Sequence, residues 1–382
     1  MPHKDIHTGS LINNYLHNKQ VDGLYISTAI KSFAASFISI FVPIYLLTLG
    51  FSIKDVAIYY LFGLTLSFLF FPIGLKLNSK IGVKKVMSLG IILSVFYYLL
   101  LNYLPAGNIK YIVVAIVSGI GSGIYWAGFH LEFSRYCDKG KEASETSFIN
   151  ILSRIAGAIG PIIGAILILE TSFNVLFLLS SSLLILSIIP LFFTKNEKTK
   201  FNFSINGLLK ADKKSKAISY GASGILGVVG GIFWPVLIFL SLNKVLSLGA
   251  IVSVTAVSEI IFLFFIGKLS DKHKNKVLRI GIFSHSLSWI TRVLFLSPLG
   301  IFFNNMYSSF SSSLIDLPFA KIIYEKSKNS EDVSNYFLFR ELHLWIGRAL
   351  ILLLVIFTSS IFLTFVVSFL ATFLYFNLLK KK

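Results

Sequence analysis

The chain has 382 residues, of which 55% are hydrophobic and only 14% are charged, and its mean hydropathy is +0.79. Soluble globular proteins carry roughly a quarter charged residues, so this composition excludes a single water-soluble core and requires a bilayer as solvent. The formal net charge is +18 at pH 7, and the single cysteine, Cys137, excludes an intramolecular disulfide and a cysteine-based metal site.

Apolar segments long enough to cross a bilayer recur along the chain. A transmembrane helix needs about 20 mostly apolar residues, and we call the segments that satisfy this criterion spans 1 to 12. Spans 1 to 6 are predicted at residues 23–49, 54–77, 86–104, 109–134, 147–169 and 173–193. Spans 7 to 12 are predicted at residues 217–242, 247–269, 277–296, 299–323, 333–357 and 359–379. The sequence therefore predicts an all-α polytopic membrane protein with about twelve transmembrane helices.

Polar segments separate and flank the two sets of six. Residues 1–22 are predicted to be an N-terminal segment outside the membrane, and residues 380–382 a basic tail. Residues 194–216 are predicted to be a central loop. This loop divides an N-terminal six-helix bundle, residues 23–193, from a C-terminal six-helix bundle, residues 217–379.

Lysine and arginine residues predict the orientation, because positively charged loops stay in the cytoplasm. The two termini, the loops after spans 2, 4, 6, 8 and 10 and the span ends that adjoin these loops hold 27 of the 35 basic residues. The opposite loops hold only Lys54, Lys110 and Lys244. Both termini are therefore predicted to be cytoplasmic, in a plasma-membrane protein. The same bias accounts for the net charge without any nucleic-acid partner, and the basic faces should attract headgroups of the lipid bilayer.

An internal repeat relates the two sets of spans. Residues 40–43 (Ile-Phe-Val-Pro) and 232–235 (Ile-Phe-Trp-Pro) lie 192 positions apart. Residues 76–80 (Lys-Leu-Asn-Ser-Lys) and 268–272 (Lys-Leu-Ser-Asp-Lys) show the same offset. Two matches at one offset indicate a duplication, and six spans per half make the repeats parallel, related by an axis along the membrane normal.

The loops after spans 2 and 8 carry two copies of a glycine, acid and base motif. The second copy contains Gly267, Asp271, Lys272 and Lys276. In the first copy Gly82 is retained, whereas Ser79 stands where the acid is expected. The motif resembles the cytoplasmic loop signature of the major facilitator superfamily of secondary transporters, and the resemblance covers nearly the whole chain. It implies two six-helix bundles around a central cavity that opens alternately to the two sides of the membrane.

The same resemblance implies a cytoplasmic gate. The loop after span 8 would dock on the start of span 5, where Asp271 would meet the positive end of that helix and Arg154. The loop after span 2 would dock on the start of span 11, where Arg340 echoes Arg154. The alternative is that both loops serve only as basic anchors of the topology.

Proline and glycine residues predict helix bends. Pro43 in span 1 and Pro235 in span 7 suggest hinges of an outer gate, or simple kinks. Gly160 and Pro161 in span 5 resemble the glycine-proline motif of antiporters in the same superfamily, which favours export. A bent and closely packed helix would show the same pattern without bearing on direction.

Ionisable residues inside the spans are candidate functional sites, because a charge in the hydrocarbon region costs several kcal/mol. Glu259 lies near the middle of span 8 and is the first candidate for carrying a coupled proton. Its alternative role is a static ion pair with Lys31, Arg340 or another base. Asp316, close to Pro318 in span 10, is the second candidate for proton coupling.

Aromatic and basic residues are candidate substrate contacts. Trp126 and His130 lie four residues apart on one face of span 4, which suits a substrate site, a proton relay or ordinary packing. Lys31 in span 1 and Trp234 in span 7 join them, because those spans line the cavity in the family that the chain resembles.

Three other charged residues are expected to have no role in transport. Arg292, near the outer end of span 9, is expected to extend to the lipid headgroups. The family resemblance also implies that span 9 is a peripheral helix. Glu132 and Arg135, three residues apart in span 4, are expected to form a salt bridge.

The sequence thus predicts a monomeric secondary transporter, and not an enzyme, that moves a small-molecule substrate coupled to a proton or another ion. No cofactor and no metal are predicted. The alternatives are a membrane-embedded enzyme acting on lipid-linked groups, for which residues 340–343 are the nearest catalytic set, and a non-transporting receptor.

Overall fold

The computed structural model describes residues 19–105, 107, 109–137, 142–201, 204, 207–208, 211–212, 214–330 and 332–379. Most of the predicted N-terminal segment, part of the central loop and the basic tail therefore lie outside the described residues. The described chain is almost entirely helical, so the prediction of an all-α fold is confirmed.

The N-terminal half contains six helical spans. Their helices are Lys19–Ser36 and Val42–Thr48 (span 1), Ile53–Ile81 (span 2), Val83–Leu101 (span 3), Tyr111–Tyr136 (span 4), Glu142–Glu170 (span 5) and Phe173–Phe192 (span 6). Span 2 begins with a capping box, in which the side chains and backbone amides of Ser52 and Asp55 bond reciprocally.

The C-terminal half repeats this arrangement. Its helices are Lys214–Val228, a π-helical turn Val229–Phe233 and Trp234–Leu242 (span 7), Val245–Leu294 (spans 8 and 9), Pro298–Lys328 (span 10), Val333–Thr358 (span 11) and Phe362–Phe373 with the 3₁₀ turn Leu374–Leu378 (span 12). Each of the twelve predicted segments thus coincides with helix. Among the described residues, eight helices are long and apolar enough to cross a membrane, and one of these is the 50-residue helix that carries spans 8 and 9.

Spans 8 and 9 are separated by a break at His273, which lies between the two predicted spans and whose φ of −134° and ψ of 41° are not helical. The corresponding turn of the first half is made at Gly82, whose φ is +91° and whose ψ is 156°. The 192-residue offset places Lys274 at the position equivalent to Gly82. That backbone conformation is essentially restricted to glycine, so the second half cannot make the same turn and instead breaks one residue earlier, at His273.

Spans 1 and 7 are interrupted at equivalent places. In span 1 the helix gives way to a turn at residues 37–41, and Pro43 lies in the first turn of the resumed helix. In span 7 the π-helical turn Val229–Phe233 comes directly before Pro235. Proline is tolerated in a first helical turn because its missing N–H would have no partner there. The repeat therefore extends to the positions of the helix breaks.

Span 5 continues without a break through Pro161 and packs closely against both halves. A Cβ atom on Gly160 would overlap the Ser36 hydroxyl of span 1, and one on Gly249 of span 8 would lie 2.6 Å from the Pro161 carbonyl oxygen. Glycine thus permits the close approach of these helices. The Ser147 hydroxyl of span 5 also donates to a span 8 carbonyl, so spans 5 and 8 join the two halves.

Candidate functional site

Two adjoining cavities lie where the halves face each other. The large cavity, about 410 Å³, is enclosed mainly by spans 7 to 10, with Arg154 contributed by span 5. The small cavity, about 340 Å³, lies between spans 1, 4 and 5 on one side and spans 10 and 11 on the other. Ser223 and Asp316 line both cavities. Asp316 therefore occupies the junction of the two spaces.

The two predicted coupling acids have different surroundings. Glu259 is buried and pairs with Arg154, with 3.0 Å between Oε1 and Nε, so this ion pair joins the two halves. Arg154 contacts Glu259 and not Asp271, contrary to the expected gate contact. Asp316 is exposed to the cavities and, among the described residues, has no hydrogen-bond or ion-pair partner. Both acids and Arg154 line the large cavity.

Lys31 faces the small cavity from span 1. Its ammonium group lies 4.2 Å from the centre of the Tyr125 ring and 5.8 Å from that of Trp126. Such cation–π contacts stabilise an ammonium group that lacks an acidic neighbour. Lys31 forms no ion pair with the acidic residues that the structure describes. Lys31 and Trp126 therefore present a positive, aromatic wall to a solute in the small cavity.

His130 links span 4 to spans 10 and 11. Its Nδ1 lies 3.1 Å from the Tyr324 hydroxyl and its Nε2 lies 3.2 Å from Arg340 Nη1. A guanidinium group can only donate, so Nε2 must accept and Nδ1 must carry the proton that goes to Tyr324. Arg340 also pairs with Glu341 at 2.6 Å. The imidazole ring is buried between the rings of Trp126 and Phe337 and belongs to a network that connects the halves.

The residues of the predicted gate are dispersed. Asp271 accepts from Lys321 of span 10, whose Nζ lies 3.3 Å from Oδ1 and 2.8 Å from the Asp271 carbonyl oxygen. Gly267 is buried, whereas Lys272 and Lys276 are exposed. Residues 138–141, just before span 5, lie outside the described residues, so docking of Asp271 at this end stays a prediction. Arg340 lies in the His130 network instead of at a loop.

Spans 4 and 10 close one end of the small cavity, a contact that the sequence did not indicate. The Ser134 and Ser327 hydroxyls lie 2.7 Å apart, and the Lys328 ammonium group donates to the Cys137 carbonyl. The Tyr324 ring packs edge-on against a phenyl ring of span 4, with 4.5 Å between ring centres. The two halves thus meet at the ends of spans 4 and 10 that were predicted to be cytoplasmic.

The expected salt bridge between Glu132 and Arg135 is wrong. Glu132 pairs with Lys84 at 2.8 Å, not with Arg135, because the end of span 4 packs against the start of span 3. Arg135 instead pairs with Glu197 of the central segment at 2.7 Å. Asn196 also bonds the turn between spans 2 and 3, donating to a carbonyl oxygen there at 2.8 Å. The central segment therefore secures this turn.

Arg292 does not extend to the headgroups, and span 9 is not merely peripheral. The Arg292 residue is only 5% exposed, and its guanidinium carbon lies 4.8 Å from the Trp234 ring centre and 4.2 Å from that of Trp289. His285, Trp289 and Arg292 all line the large cavity. Their i, i+4, i+7 spacing puts them on one helical face, a pattern in the sequence that could have indicated an inward-facing surface.

Paired helical halves, a sequence repeat and charged cavities between the halves are the features of a multi-pass membrane transporter. The chain matches the Major Facilitator Superfamily over residues 24–317 and belongs to it, so the resemblance inferred from the loop motifs is confirmed. Among the described residues, no group of three histidine, cysteine, aspartate or glutamate side chains could hold a metal ion.

Solved structures share this fold at low sequence identity. The human organic anion transporter MFSD10 (TETRAN) matches with a TM-score of 0.67 and 12% identity, covering 93% of this chain and 98% of that one. A point mutant of the nucleoside transporter NupG matches with a TM-score of 0.68 and 12% identity, covering 96% and 100%. The uncharacterized protein YqgE of Bacillus subtilis (strain 168) is 26% identical in an alignment 328 residues long that covers 81% of this chain and 75% of YqgE.

Proposed function

We propose that this protein is a secondary transporter that moves a small-molecule solute by alternating access and couples that movement to a proton. The observation that carries the coupling is the position of Asp316, which faces both cavities without a partner among the described residues, close to the Glu259–Arg154 pair. An acid at such a junction can exchange a proton with either cavity. The same arrangement could bind another small cation in place of the proton.

The coupling step is an exchange of partners by Arg154. When Asp316 is protonated, Arg154 pairs with Glu259 alone, as it does at 3.0 Å in the structure. Release of the proton leaves a second carboxylate on the wall of the same cavity, and the two acids then compete for one guanidinium group. Because Arg154 belongs to span 5 and both acids belong to the C-terminal half, this competition changes the contact between the halves. Proton release thereby favours one access state over the other.

The remaining features of the transporter belong to the same proposal. It acts as a monomer in the plasma membrane with both termini in the cytoplasm, which is the orientation that the basic loops favour. The glycine-proline pattern of span 5 favours export as the direction of transport. The contact of Gly160 with Ser36 also accounts for that glycine through packing alone. Asp271, at the junction of spans 8 and 9, serves as the cytoplasmic latch, with Lys321 as its partner within the C-terminal half.

The test begins with a thermal-shift screen of the purified protein against sugars, amino acids, nucleosides, organic anions and lipophilic cations. The compound that raises Tm most is then radiolabelled and offered to reconstituted vesicles under an imposed pH gradient. Wild-type protein and the exposed-acid control Glu170→Gln should accumulate it against its own gradient. Asp316→Asn and Glu259→Gln should lose this accumulation but retain exchange, since exchange does not require proton release.

The test evaluates the coupling roles of Glu259 and Asp316 separately. If Glu259→Gln folds normally and still accumulates the compound, Glu259 is only a structural partner of Arg154. If Asp316→Asn also accumulates it under the pH gradient, the proton-coupling proposal is wrong. Accumulation that instead follows an imposed sodium or potassium gradient would assign the coupling to that ion.

A further inference from the structure

We propose that Arg292 forms an anion-binding subsite in the large cavity, so that the solute carries a carboxylate or another oxyanion and an apolar body. This inference rests on the proposed transport function and names the class of its substrate. It is based on hydrogen-bond donors of Arg292 that have no acceptor among the described residues. Arg292 donates from Nη2 to the Ser308 hydroxyl, whereas its Nε and Nη1 are buried without a hydrogen-bond partner in the part of the chain that the structure describes.

A buried guanidinium group with free donors is an unusual feature. Buried charges in proteins are normally paired or bind a ligand, because burial removes their hydration. No acidic side chain among the described residues forms an ion pair with Arg292. The other arginine of the large cavity, Arg154, is already neutralised by Glu259. Within the described part of the chain, Arg292 therefore remains a positive charge without an acidic partner in the wall of the cavity.

Neighbouring aromatic and polar side chains hold the guanidinium group in place. The rings of Trp234 and Trp289 both lie against it. The Trp234 indole N–H donates to Asn305 Oδ1 at 3.0 Å, and Asn305 Nδ2 donates to Thr255 Oγ1 at 3.0 Å. These bonds fix the tryptophan and leave the arginine donors in a fixed orientation. A preorganised guanidinium loses little conformational freedom when a ligand binds.

The chemistry of the cavity defines the ligand. A guanidinium group presents only donors in a planar fork, and carboxylate and phosphate groups are its complementary acceptors. Leu226, Ile238, Val252 and Ile315 supply apolar wall to the same cavity. A volume of about 410 Å³ suits a small organic molecule. The ligand is therefore an organic anion whose charged end contacts Arg292 and whose body lies against the aliphatic side chains.

The experiment measures binding by the purified full-length protein in nanodiscs of phosphatidylcholine. The probes are benzoate and phenyl phosphate, with benzamide and benzylamine as the neutral and cationic analogues, titrated by calorimetry. Wild-type protein should bind an anionic probe and not the two analogues. Arg292→Gln should lose about tenfold or more in affinity, because a charge-assisted bond is removed. The control Arg279→Gln, which changes an exposed arginine of the same helix, should bind like the wild type.

A second measurement keeps the proposal testable if Arg292→Gln does not fold. In Trp126→Phe/Trp345→Phe the two remaining tryptophans are Trp234 and Trp289, which enclose Arg292. Benzoate or phenyl phosphate should change the fluorescence of this variant, and benzamide should not. An unchanged fluorescence with both anions, or equal affinity for benzoate and benzamide, would overturn the proposal.

Three further outcomes distinguish a substrate subsite from a lipid-binding site and from a site unconnected with transport. Nanodiscs containing phosphatidylglycerol should leave benzoate affinity unchanged. Loss of benzoate binding in those nanodiscs would assign the site to a lipid headgroup and overturn the proposal that it binds a soluble substrate. Anion binding that depends on Arg292 without any transport would uphold the subsite and contradict the transport proposal. If wild type and Arg292→Gln transport the screened compound with equal efficiency, the transport proposal is upheld and the Arg292 subsite is contradicted.

Discussion

Replacing Glu259 by glutamine removes the acidic partner of Arg154 but leaves a second acid, Asp316, on the wall of the same cavity. At 3.0 Å and an effective dielectric constant near 20, the Coulomb attraction of the Glu259–Arg154 pair is about 5 kcal/mol. The Arg154 side chain is 50% exposed, so solvent screening and the desolvation of Glu259 reduce the net contribution to about 1–2 kcal/mol. In the Glu259→Gln variant, Arg154 can recover part of the lost interaction free energy by pairing with Asp316 instead.

A double-mutant cycle tests that exchange of partners. We expect Glu259→Gln to lower the free energy of unfolding by about 1 kcal/mol, and Asp316→Asn to change it by less than about 0.5 kcal/mol, since Asp316 has no partner to lose among the described residues. The double variant leaves Arg154 without either acid, so its loss should exceed the sum of the single losses by about 1 kcal/mol. The assay is equilibrium unfolding in mixed micelles titrated with SDS, with Glu170→Gln as the control.

Additive losses would refute the exchange. If the losses of the two single variants add to that of the double variant within about 0.3 kcal/mol, Arg154 does not exchange partners. The coupling step proposed for this transporter would then be wrong, even if each acid were separately needed for transport.

Three further predictions concern packing, the latch and the orientation. Gly160→Ala should cost about 1–3 kcal/mol in unfolding assays because its Cβ would overlap a side chain of span 1, whereas Gly157→Ala, with its nearest neighbour at 4.0 Å, should be neutral. Asp271→Asn should shift the distance between spin labels at the loops after spans 4 and 10 toward an open cytoplasmic side, and an unchanged distribution, equal to that of the control Lys272→Gln, would contradict the latch. A cysteine at the exposed Asn275 should react with an impermeant maleimide only after right-side-out vesicles are permeabilised, and reaction in intact vesicles would reverse the topology.

The native thiol is a poor probe for that last experiment. Cys137 was the natural reporter of topology in the sequence, as the single cysteine of the chain. The structure shows it 4% exposed, at the end of span 4 where that span meets span 10. Slow labelling from either side would therefore report burial and not orientation, which is why the introduced cysteine is preferred.

The sequence by itself determined the helices and much of the repeat. Backbone groups inside a bilayer must bond within their own helix, so a run of about 20 apolar residues is sufficient to predict a span, whatever lies beside it. The breaks of spans 1 and 7 are local as well, because they lie next to Pro43 and Pro235, where the missing N–H and fixed φ act on the adjacent turn. The break between spans 8 and 9 was predicted, but its reduction to a kink at His273 was not, although Lys274 stands where the first half has Gly82.

The tertiary structure alone decided which charges meet. Glu259 pairs with Arg154 and Glu132 with Lys84, across 105 and 48 residues of sequence, because the rotation and height of each helix against its neighbours set which side chains lie within a few ångströms. Arg292 is the clearest case. Its spacing from Trp289 defines one face of span 9, but a rotation of half a turn about the helix axis would aim that face at lipid. Packing against spans 7 and 10 turns it inward instead, where Trp234 and Ser308 complete its surroundings.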